Sequence, residues 1–491
     1  MTRRVTSRAA LVAVALSVVT AAGGCGTAEL ATDRDALYNQ SVDALGSGEP
    51  VLAMRAANRY LKGATVDDAR YDRALRVIAR GAETLGLRYA ASIAWLGIAE
   101  GRRDPELVPD AVAAIARLVT TGPHDDRLLV GGFVAAADLG QLPPDLAGFV
   151  AYEAGLDLLR RGYGEWAATR FSTIPAASPW AYRARYVQAT VLVAAGALAD
   201  AQAAFEGLLA DGDDPEKQAL GARLPDDLRV DLHRSIARLL FEAKRYDEAL
   251  VHYDAIRDRA KDDPGLLLEM AWAHYHRGAT VRALGLVLAL DAPEFSDLIA
   301  PERYLLAALC FRRLCQFEPA RAAAVRLESE YADAYRDLAS GRPLTASQPL
   351  RDAARRLREV RPTAELLASM KAERARVAGL ADELGPDLLA YLAGVYDRGL
   401  EEVGRREEEA LRVAVVKVGN QLLSAREGVR LTTHELGVAL LRGRHRPAGP
   451  RELPPPETSA RGDHVAFEFT GEFWTDELDD LVVRVEDQCI Q

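Results

Sequence analysis

Pro264-Gly-Leu-Leu-Leu-Glu-Met-Ala-Trp-Ala-His-Tyr-His-Arg-Gly-Ala-Thr-Val-Arg-Ala-Leu-Gly-Leu-Val-Leu-Ala-Leu290 is the stretch whose reading decides the fold. Two apolar helical segments flank Gly278, with the small residues Ala271 in the first and Ala283 in the second set among larger ones. The same arrangement recurs in windows beginning at Gly148, Tyr182, Val230, Pro264 and Pro301. Position eight reads Gly155, Ala189, Ala237, Ala271 and Ala308; position twenty reads Ala167, Ala201, Ala249, Ala283 and Ala320. Position twenty-four reads Phe171, Phe205, Tyr253, Val287 and Ala324, and position twenty-seven Ile174, Leu208, Ile256, Leu290 and Leu327. The starts at 148 and 182, and at 230 and 264, lie 34 residues apart; the longer intervals place insertions between repeats. A period of this length with fixed small columns marks an array of helix hairpins. Two antiparallel helices approach closely only where one presents Ala or Gly to the other, and the large residues fill the space between successive hairpins.

The windows resemble the tetratricopeptide repeat family, which has small residues at positions eight and twenty and a turn residue near fifteen. Here the fifteenth column reads Gly162, Gly196, Lys244, Gly278 and Cys315. Upstream, Ala36–Gly46 followed by Met54–Leu61, then Asp72–Arg80 followed by Ala90–Ala99, read as degenerate hairpins. The expected fold is all-α: a solenoid of helix–turn–helix repeats, a long-helix region and a short tail. The expected divisions are a leader over 1–24, degenerate repeats over 25–147, the regular solenoid over 148–340, long helices over 341–446, a Pro-rich linker over 447–463 and a tail over 464–491.

The amino terminus predicts an address. Arg3, Arg4 and Arg8 precede an apolar run, Ala9 to Ala22, too short to span a bilayer, as in a secretory signal peptide. Ala22-Gly-Gly-Cys25 resembles the bacterial lipoprotein box, although Leu is commoner than Ala at its first position. That resemblance implies cleavage before Cys25 and acylation of its thiol and amine, with each buried methylene contributing about 0.8 kcal/mol to anchoring. Gly26 follows, rather than the Asp that favours inner-membrane retention in enteric bacteria, so outer-membrane anchoring facing the periplasm is expected. Removing the three leader arginines takes the formal charge from −11 to −14. An acidic chain without a basic cluster argues against nucleic acid.

Downstream, Ser340-Gly-Arg-Pro343 interrupts the helical pattern. Leu350–Val360 predicts a short helix stopped before Pro362, Thr363 caps a helix to about Leu384, and Gly385-Pro386 breaks it. From Asp387 to Arg442 apolar residues recur at three- and four-residue steps, as one long helix or two joined near Gly428. The acidic run Glu401–Glu409 reads as a solvated face, with a coiled-coil seam as the alternative. Val465, Phe467 and Phe469 predict one short strand. The tail elements Gly471-Glu-Phe-Trp474, Asp476-Glu-Leu478 and Cys489 are similar to the C-terminus of myxobacterial tetratricopeptide lipoproteins, one of them part of a gliding-motility envelope complex.

No catalytic, cofactor or metal motif is present. His274 and His276 point roughly 200° apart on a helix, and His434-Glu435 lacks a second His. There is no P-loop or Gly-x-Ser-x-Gly elbow. The expected chemistry is binding. The repeat resemblance implies that positions two, five, nine, twelve and thirteen of each first helix face a groove. These positions give Tyr152, Leu156 and Arg160; Arg183, Tyr186 and Val193; Arg234, Arg238 and Phe241; Trp272, Tyr275 and His276; Leu305, Arg312 and Arg313. Tyr, Trp and Arg are enriched at binding hot spots, so an acidic or aromatic-rich partner segment is expected there. The leading expectation is an envelope scaffold in a motility or secretion machine. Accessory roles in outer-membrane protein assembly or as a secretin pilotin, and an envelope enzyme such as a peptidoglycan hydrolase, are the alternatives. With Cys25 acylated, Cys310, Cys315 and Cys489 remain. Cys489 then either bridges to Cys315 or pairs intermolecularly or not at all; Cys310 and Cys315 on one helix point apart.

Overall fold

The computed structural model describes residues 30–125, 142–176, 178–219, 223–258, 263–295 and 300–442, and in the tail 471, 473, 478, 481 and 483–489. The leader, Cys25, the Pro-rich linker and the expected strand at 465–469 lie outside them. The described elements are helical, without strands. Helices α1 (Arg34–Gly46) and α2 (Pro50–Gly63) form one hairpin, and α3 (Tyr71–Thr84) and α4 (Arg88–Gly101) a second; α5 (Val108–Thr121) follows. Five hairpins then match the five windows: α6 (Pro144–Arg160) with α7 (Gly164–Ser172), and α8 (Pro179–Ala194) with α9 (Leu198–Asp213). After a short α10 (Pro215–Ala219) come α11 (Asp226–Glu242) with α12 (Tyr246–Asp254), α13 (Pro264–Arg277) with α14 (Thr280–Ala289), and α15 (Glu302–Arg313) with α16 (Phe317–Glu330).

The turn column has one conformation throughout. Gly162, Gly196, Lys244, Gly278 and Cys315 all have left-handed φ, from 56° to 99°. The following N–H donates to the carbonyl five residues back: Tyr163 to Leu158, Ala197 to Leu192, Arg245 to Leu240, Ala279 to His274 and Gln316 to Phe311, at 2.8–3.0 Å. This is the Schellman helix ending, which satisfies orphan carbonyls and reverses the chain. The first two hairpins use it as well, with Gly48 and Gly86 at positive φ and bonds from Glu49 to Ala44 and Leu87 to Ala82. Counting from those glycines, Ser41 and Ala79 fall at position eight and Ala53 and Ala91 at position twenty, all fully buried.

The small columns sit where the helices touch. Ala167, Ala201, Ala249, Ala283 and Ala320 are all fully buried, and a Cβ on Gly155 would lie 2.3 Å from the Phe171 ring. Enlarging such a position overpacks the hairpin at about 1–3 kcal/mol.

The C-terminal helices depart from expectation at their ends. Helix α17 (Ala332–Ala339) precedes the break at Gly341, and α18 (Gln348–Arg355) ends well before Val360. Helix α19 (Arg361–Gly379) starts before Thr363, which does not cap it: Pro362 lies in its first turn, where a missing N–H costs nothing. Helix α20 (Ala381–Leu441) is broken at Gly385 (φ 69°, ψ 166°), and Pro386 opens its long segment, which continues through Gly428 without interruption. Gly428 is there for packing, since a Cβ would meet Leu305 at 2.9 Å.

Helix α20 packs on α2 and α4 near its start and on α15 and α16 near its end. Lys62 pairs with Asp387 at 2.5 Å, and Arg406 makes two bonds to buried Asp125, at 2.8 and 2.5 Å. Near the far end Arg426 meets Glu328 at 2.6 Å and Arg312 meets Glu435 at 2.8 Å. The chain therefore returns from the last repeat to the first. The acidic run is not simply solvated. Glu402 and Glu409 hold exposed Arg405, whereas Glu407, 6% exposed, accepts from Arg355 at 2.8 Å and Glu408 pairs with Arg351 at 2.9 Å.

The tail folds back onto the repeats. Leu478 is 1% exposed, and Phe473, Leu481, Val483 and Val485 pack on the core of the later hairpins. Gln488 N–H donates to the Leu314 carbonyl at 2.9 Å, and Gln316 Nε2 to that of Glu486 at 2.7 Å. Of the two cysteine arrangements, the structure has the Cys315–Cys489 disulfide; Cys310 stays free and buried, and burial pushes its thiol up to about 12. Among the described residues, no helix is long and apolar enough to cross a membrane.

Candidate functional site

The first helices of the repeats carry the residues expected to face a partner. The turn column sets where each helix ends, so the inward positions fall in register from one hairpin to the next. Tyr152 packs in tilted contacts with Phe171 and Trp180, with ring centroids 6.2 and 5.2 Å away. Tyr186 Oη hydrogen-bonds Ser235 Oγ at 3.1 Å, and its ring lies 5.3 Å from Phe205. Phe241, Tyr246, Trp272, Tyr275 and His276 form one aromatic cluster, with Tyr246 and Trp272 both stacked on the His276 ring.

The arginines are already engaged within the chain. Arg234 bonds Glu269 at 2.7 Å and also meets Asp263; Arg238 bonds the same Glu269 carboxylate at 2.6 Å. Tyr253 Oη donates to it as well. Burial alone would raise the Glu269 carboxyl; the hydrogen bonds from Arg238 and Arg234 outweigh it and hold the pKa below its ordinary value. Arg183 pairs with Asp227, and Arg312 with Glu435 of α20. Arg313 lies 4.1 Å above the Tyr275 ring and donates to its carbonyl. The positive charge read from this face is thus largely neutralised from within. The signal was available: Arg234 and Arg238 stand at positions five and nine of one window, and Glu269 at position six of the next, one repeat along.

What stays open is a groove of about 700 Å³ between the repeats and the long helix. Trp272, Glu302 and Leu305 line one wall; Val413, Val416, Lys417, Asn420 and Gln421 of α20 line the other. Val413 is 74% and Val416 47% exposed. Trp272 and Leu305 were expected on this face. The α20 wall was not, because no sequence periodicity states which repeat a distant helix docks on. Lys417 is tethered to Glu359 at 2.8 Å, so the groove offers apolar surface edged by the Asn420 and Gln421 amides, the Ser424 hydroxyl and the Glu302 carboxylate. Half-buried His274, whose pKa is pushed down to about 4 chiefly by desolvation, lies on the same helix as Trp272.

Nothing in this arrangement assembles a nucleophile, a base and an orienting group. The buried carboxylates of the C-terminal helices serve structural donors: Glu373 accepts from the Tyr89 N–H, Tyr396 Oη and Ser369, and Glu407 from Arg355.

The chain is an all-α, solenoid-like repeat protein. No family model matches it, and no curated protein matches it. Among solved structures, a circular tandem repeat protein with novel repeat topology and enhanced subunit contact surfaces aligns over 84% of this chain and 91% of its own, at 12% identity and a TM-score of 0.15. At that score the likeness carries no weight for fold detail or function.

Proposed function

We propose that this protein is a tetratricopeptide-type scaffold, held at the cell envelope by acyl chains on Cys25, that binds partner proteins without catalysing a reaction. The observation that carries this reading is the groove in which Trp272 and Leu305 of the repeats face the exposed Val413 and Val416 of α20. Exposed apolar surface of this kind beside polar edges has the composition of an interface core with its rim. The leader and the box at Cys25 support the envelope address, and the tail motif supports membership of a motility or secretion assembly. Partners are envelope proteins, and the outer membrane is met through the lipid, facing the periplasm.

Two measurements test it. Cys25→Ser abolishes acyl incorporation and leaves an unanchored or uncleaved chain; unchanged acyl labelling and membrane fractionation refute the anchor. Trp272→Ala combined with Val416→Glu weakens capture of envelope proteins by the acylated chain while circular dichroism stays helical. Capture at full strength in that variant removes the groove as the binding surface.

A further inference from the structure

We propose that His233 and His252 form a two-imidazole binding site for a divalent transition-metal ion of the zinc class, linking the two helices of the third regular hairpin. The rings come from α11 and α12, and their Nδ1 atoms lie 3.1 Å apart. Two imidazole nitrogens bound to one tetrahedral ion, with metal–nitrogen bonds of roughly 2.0–2.1 Å, stand about 3.3 Å apart. The observed separation is close to that span without any backbone movement. The ring centroids lie 5.2 Å apart with the planes tilted by 47°, a spacing that two imidazoles on one tetrahedral ion also have.

The repeat register shows what is special here. His233 is position four and His252 position twenty-three of their window. The next window has Leu267 and Leu286 at those columns, both fully buried; the others have Ala151 and Arg170, Arg185 and Ala204, and Tyr304 and Ala323. Only the third window places two metal-ligating side chains at these facing columns.

The surroundings suit a cation. The carboxylates of Glu206 and Glu248 act on His252, and that of Asp213 acts on His233. Asp213 is held by Arg229 at 2.6 Å, and Glu248 by Arg245. Among the described residues, exposed Glu206 accepts a hydrogen bond from Gln202 in its own helix, and as an exposed side chain it can approach as a third ligand. Burial lowers both histidine pKa values, for His233 with added help from the charges of His252 and Arg229, and so favours the neutral imidazole. Neutral imidazole is the ligating form. Both side chains are half-buried and so within reach of solvent ions. Among the described residues, no three His, Cys, Asp or Glu side chains already converge; the site therefore has two protein ligands, with its open positions left to water or to Glu206.

The test is calorimetric titration of zinc chloride into untagged, oxidised, chelator-stripped protein at neutral pH. One ion binds per chain, and His233→Ala and His252→Ala each weaken it by roughly tenfold or more, as loss of a ligand should. A zinc-induced change in the His233 and His252 imidazole resonances of the wild-type protein gives a second readout, should either variant fail to fold. No binding, binding at wild-type strength in either variant, or imidazole resonances indifferent to zinc overturns the proposal and leaves an N–H···N hydrogen bond between the rings.

Discussion

Cutting the tail's bridge with Cys489→Ser should release the tail from the repeats. The bridge closes a loop across a sequence separation of 174 residues, which in the chain-entropy model stabilises by about 5 kcal/mol. Without it the tail must hold itself. Full burial of Leu478 contributes roughly 1.5–3 kcal/mol, and the four partly buried side chains add less than that each. Ordering the backbone of about 17 residues from Phe473 to Cys489 costs roughly 1–2 kcal/mol per residue. The ordering cost exceeds the contact gain, so the tail undocks. Hydrogen exchange reads this directly through the Gln488 amide, which donates to Leu314 in the bridged protein. It should be protected in the wild type and exchange freely in the variant, and limited proteolysis should then cut behind Arg484. Cys310→Ala, at the buried thiol, should leave tail protection intact. Equal protection of Gln488 in Cys489→Ser and wild type would refute the reasoning, because side-chain packing alone would then be holding the tail.

Three further outcomes are expected. At the turn column, Gly278→Ala lowers stability by about 1 kcal/mol and Lys244→Gly changes it in the opposite sense by up to a similar amount, measured by denaturant midpoints; a loss in both would show that the left-handed turn is not the controlling term. Glu269→Gln costs about 2–3 kcal/mol by leaving Arg234, Arg238 and Tyr253 a weaker acceptor. Because the folded Glu269 pKa lies below its ordinary value, its contribution is fully present above the unfolded pKa of about 4.3 and is lost as pH falls through the folded value. The variant should therefore show a shallower acid limb in stability against pH, and an unchanged limb would count against the pairing. Arg406→Ala breaks the bidentate pair with buried Asp125 and should cost about 3 kcal/mol, seen as faster hydrogen exchange in the turns of the long helix around residue 406 while the later repeats stay protected.

The repeats were legible because steric rules act within one window. Ala283 must be small where α13 and α14 touch, and Gly278 must reverse the chain, so both leave a mark at a fixed offset. The Lys244 and Cys315 turns were legible only as column members, since neither residue type announces a left-handed conformation. Thr363 misled because a capping residue and a first-turn proline compete, and Pro362 lies inside the helix. The face around Arg238 was misread because its arginines were counted without Glu269 of the next repeat. Contacts such as Lys62 with Asp387, 325 residues apart, follow from no local pattern, so the docking of α20 and the groove it creates had to be seen. The cysteine arrangement was open for the same reason: it depends on where the tail lies.

An open solenoid behaves mechanically as a spring, because small changes at each inter-repeat junction add along the stack. This one has a tie-rod. From Pro386 to Leu441 the long helix measures roughly 80 Å at 1.5 Å per residue, and it is fastened to α2 and α4 near one end and to α15 and α16 near the other. Separating the first hairpin from the last requires shearing those fastenings rather than flexing many joints a little. A pull applied between the amino-terminal region and a partner seated on the later repeats is therefore borne by a stiff frame. The molecule passes tension on with little extension until a fastening fails.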